Sequence, residues 1–310
     1  MRVLFIGTSD FACPSLKALI DASYPILEVV TQPDRPKGRG QKLTPPPVKS
    51  LALALQLPVY QPERLRDPSA IGHLKSLRPD LIVLAAYGQI LSPAVLSVPP
   101  LGCVNVHGSL LPKYRGAAPI SRAILRGEKS TGVTTMIMDE GMDTGPILLA
   151  EETEITLQDN LQSLHDRLAQ MGADLLVKTL KGIESGAVQP KPQDHSRATY
   201  APKISKEEAR INWQSSARTL CNLLRAFDPW PGAYSTWKGK TLKLFRPSVI
   251  ESSPKEIPGT LTDANARGLT IAAADGYLVV RELQMENRPR LPVEAFLRGT
   301  PLERGLRLGD

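Results

Sequence analysis

The fold is decided by residues 81–86, where the sequence LIVLAA gives the strongest signal for a buried strand. A second strand signal, CVNVH, occupies residues 103–107, and further β-rich runs lie at residues 2–6, 27–31 and 132–138. Helix-like segments separate these runs, and strands that alternate with helices build βαβ units and a parallel sheet. We therefore expect an α/β first domain that binds its ligand beyond the carboxyl ends of its strands.

The second part of the chain has a different pattern. Residues 157–185 predict one long helix with a leucine stripe, and the proline-containing stretch that follows has the composition of a linker. Beyond it, short strands between turn residues predict a small β-barrel or sandwich. The expected strands cover residues 234–237, 241–245, 259–261, 269–272 and 277–283. We expect one domain over residues 1–188 and a second over residues 206–310, joined by a linker at residues 189–205.

Composition excludes several classes of protein. Hydrophobic residues make up 42% of the 310 residues and charged residues 22%, which excludes disordered and fibrous chains. The longest apolar run, Leu81–Tyr87, is far shorter than the ~20 residues that cross a bilayer. Three widely spaced cysteines without a CxxC pair favour reduced thiols and a cytoplasmic location. We expect no membrane segment.

The charge balance permits a polyanionic partner. The chain carries 38 basic and 31 acidic side chains, a formal net charge of +7. From Lys206 onward there are 16 basic and 12 acidic residues, so a net charge of +4 lies in the last third. A basic excess of this size is compatible with nucleic acid as a partner but does not require it.

The common cofactor and nucleophile motifs are absent. The glycines of a GxGxxG motif are missing after the first strand, and no GxxxxGK[ST], GxSxG or HExxH motif occurs. The four histidines are scattered along the chain, so we expect no metal site. A nicotinamide enzyme, a P-loop nucleotidase, an α/β-hydrolase and a zinc peptidase are therefore disfavoured.

The strongest chemical signal is the end of the strand at residues 103–107. Side chains alternate along a strand, so Asn105 and His107 project to the same face, and Gly108 lets the chain turn sharply after them. An amide donor beside an imidazole suits a carbonyl whose oxygen becomes negative in the transition state. The alternative is that both side chains only cap the strand end.

The second candidate is the acidic stretch MDEGMDTG at residues 138–145. Glycines on both sides of Asp143 predict a loop that could carry its carboxylate towards another group. A carboxylate beside His107 would favour the imidazolium and fix its orientation. An acidic surface turn is the alternative interpretation.

The third candidate is the connection at residues 33–49, which holds five basic residues, five prolines and one acid. Long loops in compact domains are often functional. Its arginines suit planar contacts with phosphate. The alternative is a solvated, flexible loop.

Several of these segments together resemble one family. The sequence NVHGSLLP at residues 105–112, followed by YRGAAP at 114–119, resembles the 10-formyltetrahydrofolate-dependent formyltransferases. The stretch DEGMDTG at residues 139–145 is similar to the acidic loop of that family, and TQPDRP at 31–36 with GRG at 38–40 resembles its tRNA-reading loop. Similar motifs continue into the second half, in the order that the family has them.

The resemblance implies a reaction and a set of residues. It implies transfer of the formyl group of 10-formyltetrahydrofolate to the α-amino group of methionine on initiator tRNA. It also implies a Rossmann-like formyltransferase domain joined to a smaller OB-like β-barrel. The residues that it puts at functional positions are Asn105, His107 and Asp143 for catalysis, Ser109, Leu110, Leu111 and Pro112 for the folate, and Arg35, Lys37, Arg39 and Lys42 for tRNA.

Three alternatives stay open at this point. A formyltransferase for a small amine, such as glycinamide ribonucleotide or an amino sugar, would use the same three catalytic side chains but would not need the basic loop. A hydrolase of the formylated folate would use water as acceptor. A non-catalytic RNA-binding protein would use the barrel alone. We expect a monomer that uses neither a metal nor a membrane.

Overall fold

The computed structural model describes residues 1–37 and 40–309, apart from the side chain of Lys37. Within these residues the chain divides into two compact units. The first unit contains residues 1–119, 130–154 and 165–202, and the second contains residues 120–129, 155–164 and those from 203 onward. The boundaries of the two domains and of the linker, as expected from the sequence, stay a prediction.

The described residues of the two units form fifteen strands and eight α-helices. The strands are β1 Val3–Gly7, β2 Ile26–Val30, β3 Arg35–Lys37, β4 Lys42–Thr44, β5 Val59–Tyr60, β6 Leu81–Ala85, β7 Cys103–His107, β8 Ser130–Ile137, β9 Ile147–Glu154, β10 Tyr234–Trp237, β11 Lys240–Ile250, β12 Leu261–Asn265, β13 Gly268–Ala272, β14 Tyr277–Met285 and β15 Leu291–Pro292. The α-helices are α1 Cys13–Asp21, α2 Pro47–Ala54, α3 Pro68–Leu77, α4 Pro93–Leu96, α5 Pro119–Leu125, α6 Leu161–Glu184, α7 Ala217–Ala226 and α8 Val293–Gly299. In the described ranges, none of these helices has the length and apolar character needed to span a bilayer.

The first unit is built on a seven-stranded sheet with the order β5-β2-β1-β6-β7-β8-β9. Its first five strands are parallel, which confirms the expected α/β fold. The strands β8 and β9 are antiparallel to their neighbours, so the sheet is mixed. An antiparallel edge on a parallel sheet is common in α/β folds. The sequence pattern did not predict β9, whose second half, EETE, carries three acids at the sheet edge.

Helix α6 covers one face of β7. A Cβ atom on Gly172 would lie 2.7 Å from Cγ1 of Val106, so the helix backbone approaches the strand closely at this point. Because side chains alternate along a strand, Asn105 and His107 point to the opposite face. Leu84 is paired with Asn105 across the parallel ladder, and both Leu84 and Cys103 belong to the apolar core of that face. The sheet thus presents two polar side chains at the end of an otherwise apolar strand.

The long helix begins four residues later than the sequence pattern predicts, at Leu161 rather than at residue 157. The Asn160 Oδ1 atom accepts a hydrogen bond of 2.9 Å from the Ser163 backbone N–H, and the Ser163 Oγ atom accepts one of 3.1 Å from the Asn160 backbone N–H. Such reciprocal caps satisfy the free N–H groups of the first helical turn. The apolar Leu157 is exposed and lies before this cap.

The second unit contains a six-stranded antiparallel sheet with the order β10-β11-β14-β13-β12, in which β15 pairs with β14. This sheet, with helices α7 and α8 packed on it, confirms the expected smaller β domain. The strand expected at residues 259–261 is wrong, because β12 begins only at Leu261. Gly259 has a φ angle of +92°, a left-handed conformation that interrupts an extended strand.

One ionic contact of the first unit should make stability depend on pH. The Nε2 atom of His165 lies 3.5 Å from Oδ1 of Asp10, and its Nδ1 atom lies 3.0 Å from Oδ1 of Asp166. The hydrogen bond with Asp10, followed by smaller contributions that include Asp166, raises the pKa of His165 in the folded protein. A raised pKa stabilises the fold below the ordinary histidine pKa, and this contribution disappears as pH rises through the raised value.

We expect the variant His165→Gln to lose more free energy of unfolding at pH 6 than at pH 9, since the carboxylates of Asp10 and Asp166 stabilise only the protonated imidazole. Urea unfolding of the parent and the variant at both pH values measures this difference. The same pair of measurements in an Asp10→Asn background is the control, because removal of the main partner should shrink the pH-dependent part. A loss that is equal at both pH values would contradict the prediction.

Candidate active site

Strand β7 carries two buried polar side chains at its carboxyl end. Asn105 and His107 are each 6% exposed, and every residue of the strand is buried. Among the described residues, no side chain or backbone group forms a hydrogen bond with the Asn105 side-chain amide, and the amide is not one of the fully inaccessible unpaired groups, so it keeps some access from outside. Burying a polar group without a partner costs free energy, so an amide of this kind is available to a ligand at little further desolvation cost.

The imidazole of His107 is held between two oxygen atoms. Its Nε2 atom lies 3.0 Å from the carbonyl oxygen of Tyr114, and its Nδ1 atom lies 3.7 Å from Oδ2 of Asp143. Because a carbonyl oxygen only accepts, Nε2 must carry the proton of that hydrogen bond. A second proton on Nδ1 would face the carboxylate of Asp143. The geometry therefore fixes the ring through Nε2 and leaves Nδ1 as the nitrogen that faces the Asp143 carboxylate.

Asp143 reaches His107 through an unusual loop. Strand β8 is antiparallel to β7, with Ile137 paired to Val104, so the loop after β8 starts at the end of β7 away from His107. Asp143 has a φ angle of +52°, in the left-handed region that costs a non-glycine residue roughly 1–2 kcal/mol. In this conformation its Oδ2 atom accepts a hydrogen bond of 2.8 Å from the backbone N–H of Gly116.

Internal contacts stiffen the same loop. The Oδ1 atom of Asp139 accepts hydrogen bonds from the Gly141 backbone N–H, at 3.1 Å, and from the Thr144 hydroxyl, at 2.6 Å. A Cβ atom on Gly141 would lie 1.9 Å from the Thr144 hydroxyl, and one on Gly145 would lie 1.8 Å from the carbonyl oxygen of Ile137. These two glycines therefore let the loop fold tightly against β8, which keeps Asp143 beside His107.

The segment after β7 has a mixed character. The hydroxyl of Ser109 donates a hydrogen bond of 2.7 Å to the carbonyl oxygen of Lys113, and this serine is fully buried. Leu111 is also buried, whereas Leu110 and Pro112 are half-buried. Of the four residues that the sequence suggests for folate, Leu110 and Pro112 thus offer apolar surface to a ligand, while Ser109 shapes the turn.

The basic connection at residues 33–49 contains a short hairpin of β3 and β4, where the sequence predicts only a loop. Its base is anchored by Asp34, whose carboxylate accepts hydrogen bonds of 2.8 Å from Gln61 and Lys49. These contacts, that of Gln61 first, lower the pKa of Asp34. Arg35 is exposed and pairs with Glu63 at 3.0 Å, and Lys42 is exposed. Arg39 and the side chain of Lys37 lie outside the described residues.

Sequence reasoning missed two buried side chains, Arg115 and Gln193, that hold the acidic loop by hydrogen bonds. Arg115 is only 2% exposed, and its guanidinium donates hydrogen bonds to Gln193, whose own amide donates to two carbonyl groups of the loop. Gln193 lies in the stretch that the sequence predicts as a linker. Within the first unit, however, residues 191–201 form backbone hydrogen bonds with Ile147 and Arg115. The polar side chain of Gln193 among prolines gave no periodic signal that could have revealed this contact.

Other reactive groups near the site are inert. Burial raises the pKa of the Cys103 thiol to about 12, so this residue, on the same face of β7 as Asn105, stays neutral. The described ranges contain no cluster of three or more His, Cys, Asp or Glu side chains that could hold a metal ion. Among these side chains, the amide, the imidazole and the Asp143 carboxylate are therefore the groups suited to chemistry on a carbonyl compound.

Comparison with known proteins identifies relatives over the whole chain. Residues 1–180 match the family described as formyl transferase, and residues 203–301 match the formyl transferase C-terminal domain. A protein of Pelobacter propionicus named methionyl-tRNA formyltransferase is 50% identical over 307 residues, which cover 99% of this chain and 96% of the relative. A protein of Syntrophus aciditrophicus with the same name is 50% identical over 309 residues, with coverage of 100% and 99%.

Solved structures share the fold at low sequence identity. HypX from Aquifex aeolicus, in complex with tetrahydrofolic acid, matches 96% of this chain with a TM-score of 0.66 and 20% identity. This chain spans only about half of HypX, 47% of its length. An N-formyltransferase from Helicobacter canadensis, in complex with folinic acid and dTDP-3-aminofucose, matches 92% of this chain and all of its own length, with a TM-score of 0.66 and 18% identity.

Proposed function

Because the chain belongs to the formyl transferase family, we propose that it transfers the formyl group of 10-formyltetrahydrofolate to the α-amino group of methionyl-tRNA. Two relatives with that name are 50% identical to it over nearly their entire lengths, which supports this acceptor. The observation that carries the proposal is the place of the buried Asn105 on the same face of β7 as His107, whose Nδ1 atom lies 3.7 Å from Oδ2 of Asp143.

The chemistry of the acceptor explains why these side chains suffice. An α-amino group has an ordinary pKa of about 7.7–8.0, so a substantial neutral fraction is ready to attack near neutral pH. The formyl oxygen gains negative charge during attack, and preorganised donors stabilise such charge. Asn105 is the donor we assign to this oxygen, since the described residues give its amide no other partner.

His107 and Asp143 have a proton-handling role in this proposal. The Tyr114 carbonyl fixes the ring through Nε2, which leaves Nδ1 to face the carboxylate. The Oδ2 atom of Asp143 is held by Gly116, while its Oδ1 atom has no partner in the described part of the chain. The pair can therefore donate from Nδ1 towards the formyl oxygen and accept the surplus proton of the attacking amine. This proton then passes to the folate nitrogen as the bond between that nitrogen and the formyl carbon breaks.

The donor substrate supplies the formyl carbon and a nitrogen leaving group. The half-buried apolar side chains of Leu110 and Pro112 suit the flat aromatic parts of a folate, and the buried Ser109 and Leu111 hold the turn that presents them. These four residues are the folate-binding segment in this proposal. They lie directly after β7 in the chain, next to the proposed catalytic side chains Asn105 and His107.

A turnover assay with alternative acceptors tests the function. We expect formyl transfer to initiator methionyl-tRNA, and much less to elongator methionyl-tRNA charged with the same amino acid. Glycinamide ribonucleotide, an amino sugar nucleotide and water are the other acceptors to be compared. Faster transfer to a small amine, rapid hydrolysis without acceptor, or tRNA binding without turnover would each favour one of the alternatives.

The basic hairpin is the part we propose to discriminate between tRNAs. A double-stranded acceptor stem can be read where its grooves open at the helix end, and Arg35, Lys37, Arg39 and Lys42 supply positive charge in one short segment. The 16 basic residues from Lys206 onward would add phosphate contacts that weaken with salt.

We expect the variant Arg39→Ala to lower kcat/KM for initiator methionyl-tRNA by about tenfold or more, the scale of one lost arginine contact with a base or phosphate. The KM for the folate donor should stay unchanged. Steady-state kinetics with each substrate varied in turn measures both values. Arg64→Ala, at an exposed arginine outside the hairpin, is the matched control. An unchanged kcat/KM for initiator tRNA would contradict the assignment.

The last part of the proposal concerns the cellular compartment and the oligomeric state of the enzyme. We propose a cytoplasmic enzyme, since tRNA and reduced folate are its substrates and the three cysteines are free thiols, as expected in a reducing compartment. We further propose that it is a monomer. Light scattering of the purified protein at micromolar concentration tests the monomer.

A further inference from the structure

We infer that Gln193 is a positioning residue for the transfer reaction, which holds the Asp143 loop in its strained conformation while Arg115 fixes the orientation of its amide. This inference rests on the proposed function for its kinetic readout. Its structural basis is a chain of hydrogen bonds from a buried guanidinium, through one amide, to two backbone carbonyl groups beside the proposed proton-handling carboxylate.

The amide of Gln193 bridges the two ends of the turn that contains Asp143. Its Nε2 atom donates hydrogen bonds to the carbonyl oxygen of Asp143, at 2.9 Å, and to that of Gly145, at 2.7 Å. Gln193 is 6% exposed, so these bonds are shielded from water. Both N–H groups of the amide are used, and both bind the backbone of the loop rather than a side chain.

Arg115 determines which end of the amide faces the loop. Its Nε and Nη2 atoms lie 3.2 Å and 2.7 Å from Oε1 of Gln193, and Nη2 also lies 3.2 Å from Nδ1 of His195. A guanidinium can only donate, so Oε1 must face Arg115 and Nε2 must face the carbonyl groups. The opposite orientation would put two donors against Arg115 and an acceptor against two acceptors.

Arg115 has no carboxylate partner within the described part of the chain. A buried charge needs compensating contacts, and here these are Oε1 of Gln193 and a nitrogen of the exposed His195. A charged donor polarises the amide that it binds and strengthens the bonds that this amide donates in turn. The positive charge of Arg115 therefore strengthens the two hydrogen bonds that Gln193 donates to the loop backbone.

The loop needs this restraint because the backbone of Asp143 is strained. Asp143 has a φ angle of +52°, and strained residues of this kind persist only where the surroundings determine them strongly. Asp143 is restrained at its carboxylate by Gly116 and at its carbonyl oxygen by one bond from Gln193, while the second bond from Gln193 holds the Gly145 carbonyl at the end of the turn. Without Gln193, relaxation of the turn would move the carboxylate away from His107, where a displacement of about 1 Å can cost about 10²-fold in rate.

The variant Gln193→Glu tests this inference most sharply. Glutamate keeps an oxygen for Arg115, so the buried charge stays compensated, but it replaces both donors with a carboxylate oxygen facing two carbonyl groups. We expect kcat for transfer to methionyl-tRNA to fall about ten- to hundredfold with KM nearly unchanged. Gln193→Leu, which removes both functions, should show a similar fall. The matched control is Gln189→Glu, at an exposed glutamine whose amide donates a hydrogen bond to the Gly186 carbonyl oxygen in its own turn.

Two further readouts separate positioning from general damage. In an Asp143→Asn background, Gln193→Leu should cost less than threefold in kcat, since the group that it positions is already disabled. Amide hydrogen exchange of a peptide covering residues 139–146 should be faster in both Gln193 variants and unchanged in the Gln189 control. This exchange is measured without any substrate, so its outcome does not depend on which acceptor the enzyme uses.

Several results would overturn the inference. These are a kcat within twofold of the parent in Gln193→Glu, a loss of equal size in the presence and absence of the Asp143 carboxylate, or loop exchange at the parent rate. If the parent protein fails to formylate methionyl-tRNA, the proposed function fails, while the exchange measurement still decides whether Gln193 holds the loop.

Discussion

Replacement of Asn105 by alanine is expected to lower kcat for formyl transfer about 10²–10³-fold, the usual cost of losing one donor to a developing oxyanion. Asn105 as a whole is only 6% exposed, and the described residues offer its amide no hydrogen-bond partner. The variant therefore leaves no protein group newly unsatisfied. We expect the melting temperature and the KM for methionyl-tRNA to stay close to those of the parent.

The variant Asn105→Asp makes this prediction sharper. Aspartate has nearly the same shape but presents an acceptor, and in its charged form a negative charge, to an oxygen that itself becomes negative. It should be at least as defective as the alanine variant although it fills the same space. Single-turnover kinetics with saturating tRNA measures the chemical step directly. Transfer at more than about a tenth of the parental rate in either variant would remove Asn105 from the proposed mechanism.

The elements around this residue could be predicted because local pattern decides them. The runs at residues 81–86 and 103–107 are short, apolar and bounded by turn residues, and the structure has strands there, β6 and β7. Local residues also set the bounds of helix α3, since Pro68 starts it and the left-handed Arg78 follows its last residue. Alternation along β7 then fixes the shared face of Asn105 and His107 before any tertiary contact is known.

The sequence failed to predict the secondary structure where the backbone conformation of one residue or contacts with distant strands determine it. Gly259 resembles a strand residue by its neighbours, yet its φ of +92° delays β12 to Leu261. Strand β9 has no alternating pattern in its first half, and its pairing with β8 rather than any local signal makes it a strand. Sequence alone also could not predict that β8 is antiparallel, and hence that the acidic loop must fold back along β7 to reach His107.

The same limit applies to the candidate site. The glycines around Asp143 indicate a loop, but the sequence does not say what the carboxylate meets. Its partner Gly116 is 27 residues away, and the amide that binds the loop backbone belongs to Gln193, 50 residues away. Contacts at such separations depend on the assembled sheet. A sequence pattern can therefore indicate the reactive side chains, whereas the groups that hold them in position can be identified only in the folded structure.

The variant Gly145→Ala is expected to lower kcat about 10²-fold while most of the fold is retained. An alanine Cβ atom at this position would lie 1.8 Å from the carbonyl oxygen of Ile137 and 3.3 Å from the backbone nitrogen of Asp139, whereas comfortable contacts are about 3.5–4.0 Å. Both neighbours are backbone atoms, and Ile137 is held in β8 by its pairing with Val104 of β7. The loop, rather than the strand, therefore has to move by more than an ångström. That shift should also weaken the bond from Gln193 to the Gly145 carbonyl, at 2.7 Å in the parent.

The expected signature is a defect in the chemical step with retained tRNA binding. Overpacking of this kind typically costs about 1–3 kcal/mol of stability, so kcat is to be measured well below the melting temperature of the variant. The matched control is Gly72→Ala in helix α3, where an added Cβ meets nothing within 4 Å and alanine should raise stability by about 1 kcal/mol. If Gly145→Ala turned over within threefold of the parent, the exact course of the loop would not matter for catalysis. Asp143 would then have to act from more than one position, which a carboxylate bound to Gly116 and aimed at a fixed imidazole does not allow.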